Sequence, residues 1–115
     1  MSTTVQQGEA IVVGYRWALR IAMDVAAFPS GVSLAGHVRR KLGDPAPLTT
    51  LSTEAASILR VDDRQIDIVL EGAVTAEWPP GEVVMDFVRT DVDPDRYLGF
   101  RLTIPVVLPV TRGLA

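Results

Sequence analysis

The sequence predicts an all-β protein, an antiparallel β-sandwich with one short helix. Apolar residues alternate with a period of two in several segments, and turn signals rich in Gly, Pro and Asp separate these segments about every ten residues. Of the 115 residues, 48% are apolar and 22% are charged, so the chain can bury a core and does not have the composition of a disordered protein. This length fits one domain.

The first strands follow a polar N-terminus. Residues 1–9 predict an extended arm, and residues 10–112 predict the single sandwich domain. Ala10–Val13 can form a short strand, because Gly14 interrupts the pattern that follows. Residues 16–24 alternate and predict a half-buried strand. Its apolar face is formed by Trp17, Leu19, Ile21 and Met23.

The middle of the chain contains shorter segments. Residues 28–31 (FPSG) predict a turn, because Pro presets one dihedral and Gly tolerates positive φ. A strand is predicted over 32–40, and a Pro- and Gly-containing loop over 43–47. Two short strands are then expected at 48–52 and 58–61.

The next segment contains the predicted helix. Ile66, Ile68 and Leu70 alternate and predict a strand after the Asp62-Asp63 turn. Residues 71–78 (EGAVTAEW) predict one or two helical turns, which end at Pro79-Pro80-Gly81. Residues 83–88 then alternate again as a strand.

The last strand has the longest alternation, from Phe100 to Leu108. It contains Pro105, and Pro109 follows it; proline cannot donate to a strand ladder. We therefore expect an edge strand, at least past Ile104. The number and spacing of the strands predict a sandwich or a partly open barrel, and we expect an immunoglobulin-like sandwich or a related one.

Composition argues against several kinds of function. The chain has no cysteine and one histidine, and its formal net charge is −3. Disulfides, thiol chemistry and Cys-based metal sites are therefore absent, and scattered Lys and Arg residues do not predict a nucleic-acid surface. A lone His37 does not make a catalytic triad or a His-ligated metal site. We expect no catalysis, no cofactor and no metal. No apolar run is long enough to span a membrane, and residues 1–9 do not resemble a signal peptide.

Two other motifs favour structural roles. Asp91, Asp93 and Asp95 have the spacing of a calcium loop, but Pro94 and the lack of a glycine at the sixth position favour a solvated turn. Trp17 and Trp78 could stack on a sugar. Core packing is the better interpretation for Trp17, because it shares a face with Leu19 and Ile21.

A resemblance to a family comes from the order and type of several segments. They are RWALRI from Arg16, VSLAGHVR from Val32, LST from Leu51, IDIVL from Ile66 with the short helix after it, and the strand 83–88 with its Asp86, followed by the apolar last strand. This pattern, from Tyr15 to Arg112, resembles small β-sandwich domains of tailed-phage virion proteins, especially the N-terminal domain of siphophage baseplate upper proteins. In that family further domains follow this one.

The resemblance implies a non-enzymatic structural protein of a tailed-phage virion, either tail or baseplate or capsid-associated, made in the host cytoplasm. Its expected partners are further copies of itself and larger virion proteins, with no nucleic acid and no membrane. The polar arm and the apolar last strand predict the contact residues. These are Thr3, Thr4, Val5, Gln6, Gln7, Pro105, Val106, Leu108 and Arg112. A capsid decoration protein, or a glycan-binding module that uses Trp78 or Tyr97, remains an alternative.

Overall fold

Nine strands and one short helix make up the described part of the protein. The computed structural model describes the backbone of Thr3–Val5 and all of residues 10–110. The strands are β1 (Thr3–Val5), β2 (Ile11–Val12), β3 (Trp17–Met23), β4 (Leu34–Arg39), β5 (Thr49–Ser52), β6 (Ile58–Arg60), β7 (Gln65–Leu70), β8 (Gly81–Arg89) and β9 (Arg96–Val107), and the helix is α1 (Gly72–Thr75). The all-β prediction with one short helix is confirmed.

The strands form two sheets. A four-stranded sheet has the order β1-β3-β7-β6, and a five-stranded sheet has the order β2-β9-β8-β4-β5. Neighbouring strands are antiparallel, apart from β2, which runs parallel to β9. Short connections carry the chain from one sheet to the other between β2 and β3 and between β5 and β6.

The core lies on the faces predicted by the period-two alternation. In β3 the four apolar residues from Trp17 to Met23 are all buried, whereas Ala18 and Arg20 are exposed. Both sheets contribute to one apolar cluster, which also includes Phe28 and Trp78. The rings of Phe87 and Phe100 lie 5.8 Å apart at an interplanar angle of 41°, a tilted arrangement that aromatic pairs favour.

The prediction that β9 is an edge past Ile104 is wrong. β2 pairs with Val106 and Val107, so β9 lies inside the sheet at this point. Over residues 96–105, β8 is the one described strand that pairs with β9. The Val13 N–H donates to the Val107 carbonyl at 3.0 Å, and by alternation the backbone groups of Pro105 also face away from β8. The missing proline N–H therefore removes no bond to β8.

The helix α1 is tied to the connection between β2 and β3. The Gly14 N–H donates to Thr75 Oγ1 at 3.0 Å, and this hydroxyl donates to the Gly72 carbonyl at 3.4 Å. Thr75 is the one polar residue that is buried among the described residues. A β-carbon on Gly72 would lie 2.9 Å from the Gly14 carbonyl carbon, so glycine permits this close packing.

Part of the expected arm is a strand. Thr3–Val5 pair with β3 at the edge of the four-stranded sheet, with Thr3 opposite Met23 and Val5 opposite Ile21. The other residues of the arm lie outside the described part. The described residues contain no helix with the length and hydrophobicity of a membrane span.

Candidate functional site

A large cavity opens at the end of the sandwich where residues 10 and 110 lie. Its volume is about 610 Å³, compared with about 260–350 Å³ for three other surface cavities of the described part. It is lined by Ala10, Val12, Tyr15, Arg16, Trp17, Ala18, Pro109 and Val110. This size is in the range of natural ligand and docking pockets.

The cavity is built by the connection between the two sheets. Val12 belongs to β2 and Trp17 begins β3, so residues 13–16 cross from one sheet to the other at its rim. The bond from Gly14 to Thr75 fixes this crossing against α1. Arg16 Nε lies 3.2 Å from Glu71 Oε2, so the one charged side chain in the lining has an exposed ion partner.

Exposed apolar side chains lie in the lining of the cavity or next to lining residues in the chain or the register. Tyr15 is 46% exposed, Leu108 46% and Val110 99%. Val107, which is opposite Val12 in the register, is also exposed on the surface. We call Val12, Tyr15, Val107, Leu108, Pro109 and Val110 the terminal apolar surface.

The sequence-predicted contact residues are only partly brought together here. Leu108 belongs to the terminal apolar surface. Pro105 is exposed, but on the outer face of the five-stranded sheet, whereas Val106 is buried at 2% exposure because it points into the core. The side chain of Val106 therefore cannot be a surface contact, which corrects the prediction.

The other predicted contact residues lie in β1 or outside the described residues. Thr3, Thr4 and Val5 form β1, the edge strand next to β3 in the four-stranded sheet, and Gln6, Gln7 and Arg112 lie outside the described residues.

Tyr15 was missed by sequence reasoning. It falls outside the alternating strands, just after Gly14. An apolar residue beside a strand-ending glycine is the signal that could have found it, because such a position has no core face to occupy.

The two tryptophans and the acidic turn that the sequence also singled out have structural roles. Trp17 and Trp78 are each 6% exposed, so neither offers an open ring to a sugar. Asp91 accepts two hydrogen bonds from Arg89, at 2.8 and 3.1 Å. These hydrogen bonds hold the pKa of the Asp91 carboxyl below its ordinary value. Within residues 10–110, no group of three or more His, Cys, Asp or Glu side chains is arranged to hold a metal ion.

Comparison with known proteins gives no assignment. No protein-family model matches the chain, and the search of curated proteins found no match.

Proposed function

We propose that this protein is a non-enzymatic structural component of a tailed-phage virion, in the tail or baseplate or associated with the capsid, and that it assembles through protein–protein contacts. Its partners are further copies of itself and larger virion proteins, and its location is the virion after synthesis in the host cytoplasm. The virion part rests on the sequence resemblance. The observation that carries the assembly part is the terminal apolar surface around the 610 Å³ cavity.

The physical argument is the removal of apolar area from water. Burial of such area contributes about 25 cal/mol per Å², and contiguous exposed apolar patches on soluble domains are typical of interaction sites. Arg16, the charged residue in the lining, already pairs with Glu71. An apolar partner can therefore cover the cavity without leaving a buried charge unpaired, as the centres of protein interfaces require.

The order of the strands supports the finer proposal of an immunoglobulin-like domain. Immunoglobulin sandwiches place strands A, B, E and D in one sheet and C, F and G in the other, with C′ added in variable-type domains. Assigning these letters in chain order, with the short strand β2 left out, makes β1-β3-β7-β6 the ABED sheet, and β9-β8-β4-β5 the G-F-C-C′ strands of the other.

Leu108→Ser tests the assembly surface, with Leu59→Ser as its matched control. The two leucines are 46% and 43% exposed, but Leu59 lies on β6, away from the cavity. We expect Leu108→Ser to weaken self-association and incorporation into particles, whereas Leu59→Ser should leave both unchanged. Analytical ultracentrifugation measures the first, and mass spectrometry of purified particles, counted against the major capsid protein, measures the second.

The copy number separates the two virion roles. A ratio near one to the capsid protein, or a simple fraction of it, indicates capsid decoration, and a few to a few dozen copies per particle indicate tail or baseplate. Absence of the chain from the particles would contradict the virion proposal. Equal behaviour of the two serine variants would contradict the assignment of the contact to the terminal apolar surface.

A further inference from the structure

A row of polar side chains crosses the outer face of the five-stranded sheet, away from the terminal apolar surface. The register places Thr50 of β5 opposite His37 of β4, His37 opposite Asp86 of β8, and Asp86 opposite Arg101 of β9. Directly opposite residues have β-carbons about 5 Å apart, so neighbours in this row lie within reach of one small ligand. Four different strands therefore present donors and acceptors along one line.

Arg39 fixes the hydrogen-bonding role of His37. Its Nη2 lies 3.0 Å from His37 Nδ1, and its Nη1 donates to the Asp44 carbonyl at 3.2 Å. A guanidinium can only donate, so Nδ1 accepts and Nε2 carries the N–H of the ring. His37 is exposed, and its Nε2–H is therefore a donor available to a ligand.

The charges of this row are not paired with each other. Asp86 and Arg101 are opposite in the register, yet no ion pair joins their side chains, and within residues 10–110 the Arg101 side chain is in none of the ion pairs. A cavity of about 260 Å³ lies over these residues, lined by His37, Arg39, Leu42, Val84, Met85, Asp86 and Arg101. It is smaller than the pockets of drug-sized ligands, which are about 300–1,000 Å³, and fits a single small polar unit.

Tyr97 adds an aromatic surface at one side of the row. It pairs with Val88, two residues from Asp86 on the same face of β8, and it is 52% exposed. Its hydroxyl lies 3.3 Å from the Phe100 carbonyl, which holds the ring in place. Partial burial, and then the nearby Asp86 carboxylate, raise the pKa of Tyr97, so the phenol stays neutral.

We propose that this outer face binds a sugar unit that carries a carboxylate, such as a uronic acid. The guanidinium of Arg101 binds the carboxylate, Asp86 and the His37 Nε2–H bind ring hydroxyls, and Tyr97 flanks the ring. The row places one anionic group, Asp86, beside one cationic group, Arg101, and this pair selects the ligand class. A simple anion would meet Asp86, and a neutral sugar would leave Arg101 without a partner.

The sole histidine makes a direct binding experiment possible. Imidazole NMR signals of the full-length protein come from His37 alone. We expect millimolar sodium galacturonate to shift these signals saturably, and galactose or inorganic phosphate to shift them little at the same concentrations. No shift with galacturonate, an equal response to phosphate, or an equal response to galactose would each overturn the proposal.

Matched variants separate binding from folding. Arg101→Gln and Asp86→Asn should each weaken galacturonate binding by about tenfold or more, since each removes a charged hydrogen-bond partner. Arg20→Gln, which changes another exposed arginine on the other sheet, should bind like the unaltered protein. Backbone amide spectra report whether each variant is folded. If folded Arg101→Gln and Asp86→Asn bind as tightly as Arg20→Gln, the row is not the site.

Discussion

The outer faces of the two sheets use the same kind of charged pair in opposite ways. On the four-stranded sheet, Arg20 of β3 is opposite Asp67 of β7, and two bonds of 2.8 and 3.1 Å join them. On the five-stranded sheet, Asp86 and Arg101 are also opposite each other, but no ion pair forms. The first pair is a closed structural contact. In the second, Arg101 has no ion partner among the described residues, and the Asp86 carboxylate acts on the nearby Tyr97 phenol.

A β-bulge accounts for the difference. The register of β8 and β9 shifts directly beyond Asp86 and Arg101, so that Val88 pairs with Tyr97. Gly99 lies in this irregularity with a φ of +86°, a conformation that L side chains rarely adopt. Bulges redirect nearby side chains and are common beside functional sites. The described part of the β3–β7 ladder has continuous register, so Arg20 lies directly opposite Asp67.

The largest expected effect of a mutation comes from the packing beneath the polar row. A β-carbon on Gly36 would collide with the Asp86 carbonyl oxygen and lie 2.7 Å from Cδ1 of Phe87. Gly36→Ala should therefore lower the free energy of unfolding by about 3 kcal/mol, at the upper end of overpacking costs. Urea unfolding measures this change.

Gly43→Ala is the control for that substitution. No atom lies within 4 Å of the β-carbon that it would add. We expect its midpoint in urea to stay close to that of the unaltered protein. If Gly36→Ala were as stable as Gly43→Ala, the five-stranded sheet would not depend on this close contact.

The sequence predicts the strands better than the surfaces. Alternation identifies the buried face of β3, and the Pro and Gly residues identify the turn at Gly31, because both signals depend on neighbours in the chain. The pairing of β2 with the end of β9 depends on contacts between residues almost a hundred positions apart, so the proline pattern alone misplaced the edge. His37, Asp86 and Arg101 were each visible as polar positions, but their common row exists only in the register.

A smaller effect is expected at the ion pair of Arg20 and Asp67. The hydrogen bond from Arg20 holds the pKa of the Asp67 carboxyl below its ordinary value. The stabilising contribution of this ion pair is therefore complete above the unfolded-state pKa of about 3.9. It is lost as the pH falls through the lower folded-state pKa. Arg20→Gln should be less stable than the unaltered protein at neutral pH and equal to it in strong acid.

Unfolding curves at several pH values, together with the carboxyl NMR titration of Asp67, check this prediction. The titration midpoint of Asp67 should rise in Arg20→Gln. A stability difference that persisted unchanged below the folded-state pKa would mean that Arg20 acts through packing of its aliphatic stem and not through the ion pair.

The smallest expected effect concerns Asp86, which is opposite Arg101 without an ion pair. Because the Asp86 carboxylate contributes to the raised pKa of Tyr97, Asp86→Asn should lower that pKa toward 10, leaving the effect of burial and the opposing effect of the Arg101 charge. Ultraviolet titration resolves this, since the chain has two tyrosines and Tyr15→Phe removes the other signal. Asp67→Asn, on the opposite sheet, should leave the titration of Tyr97 unchanged. If the two asparagine variants titrate alike, Asp86 does not face Tyr97, and the contrast between a closed and an open charged face fails at the residue on which it depends.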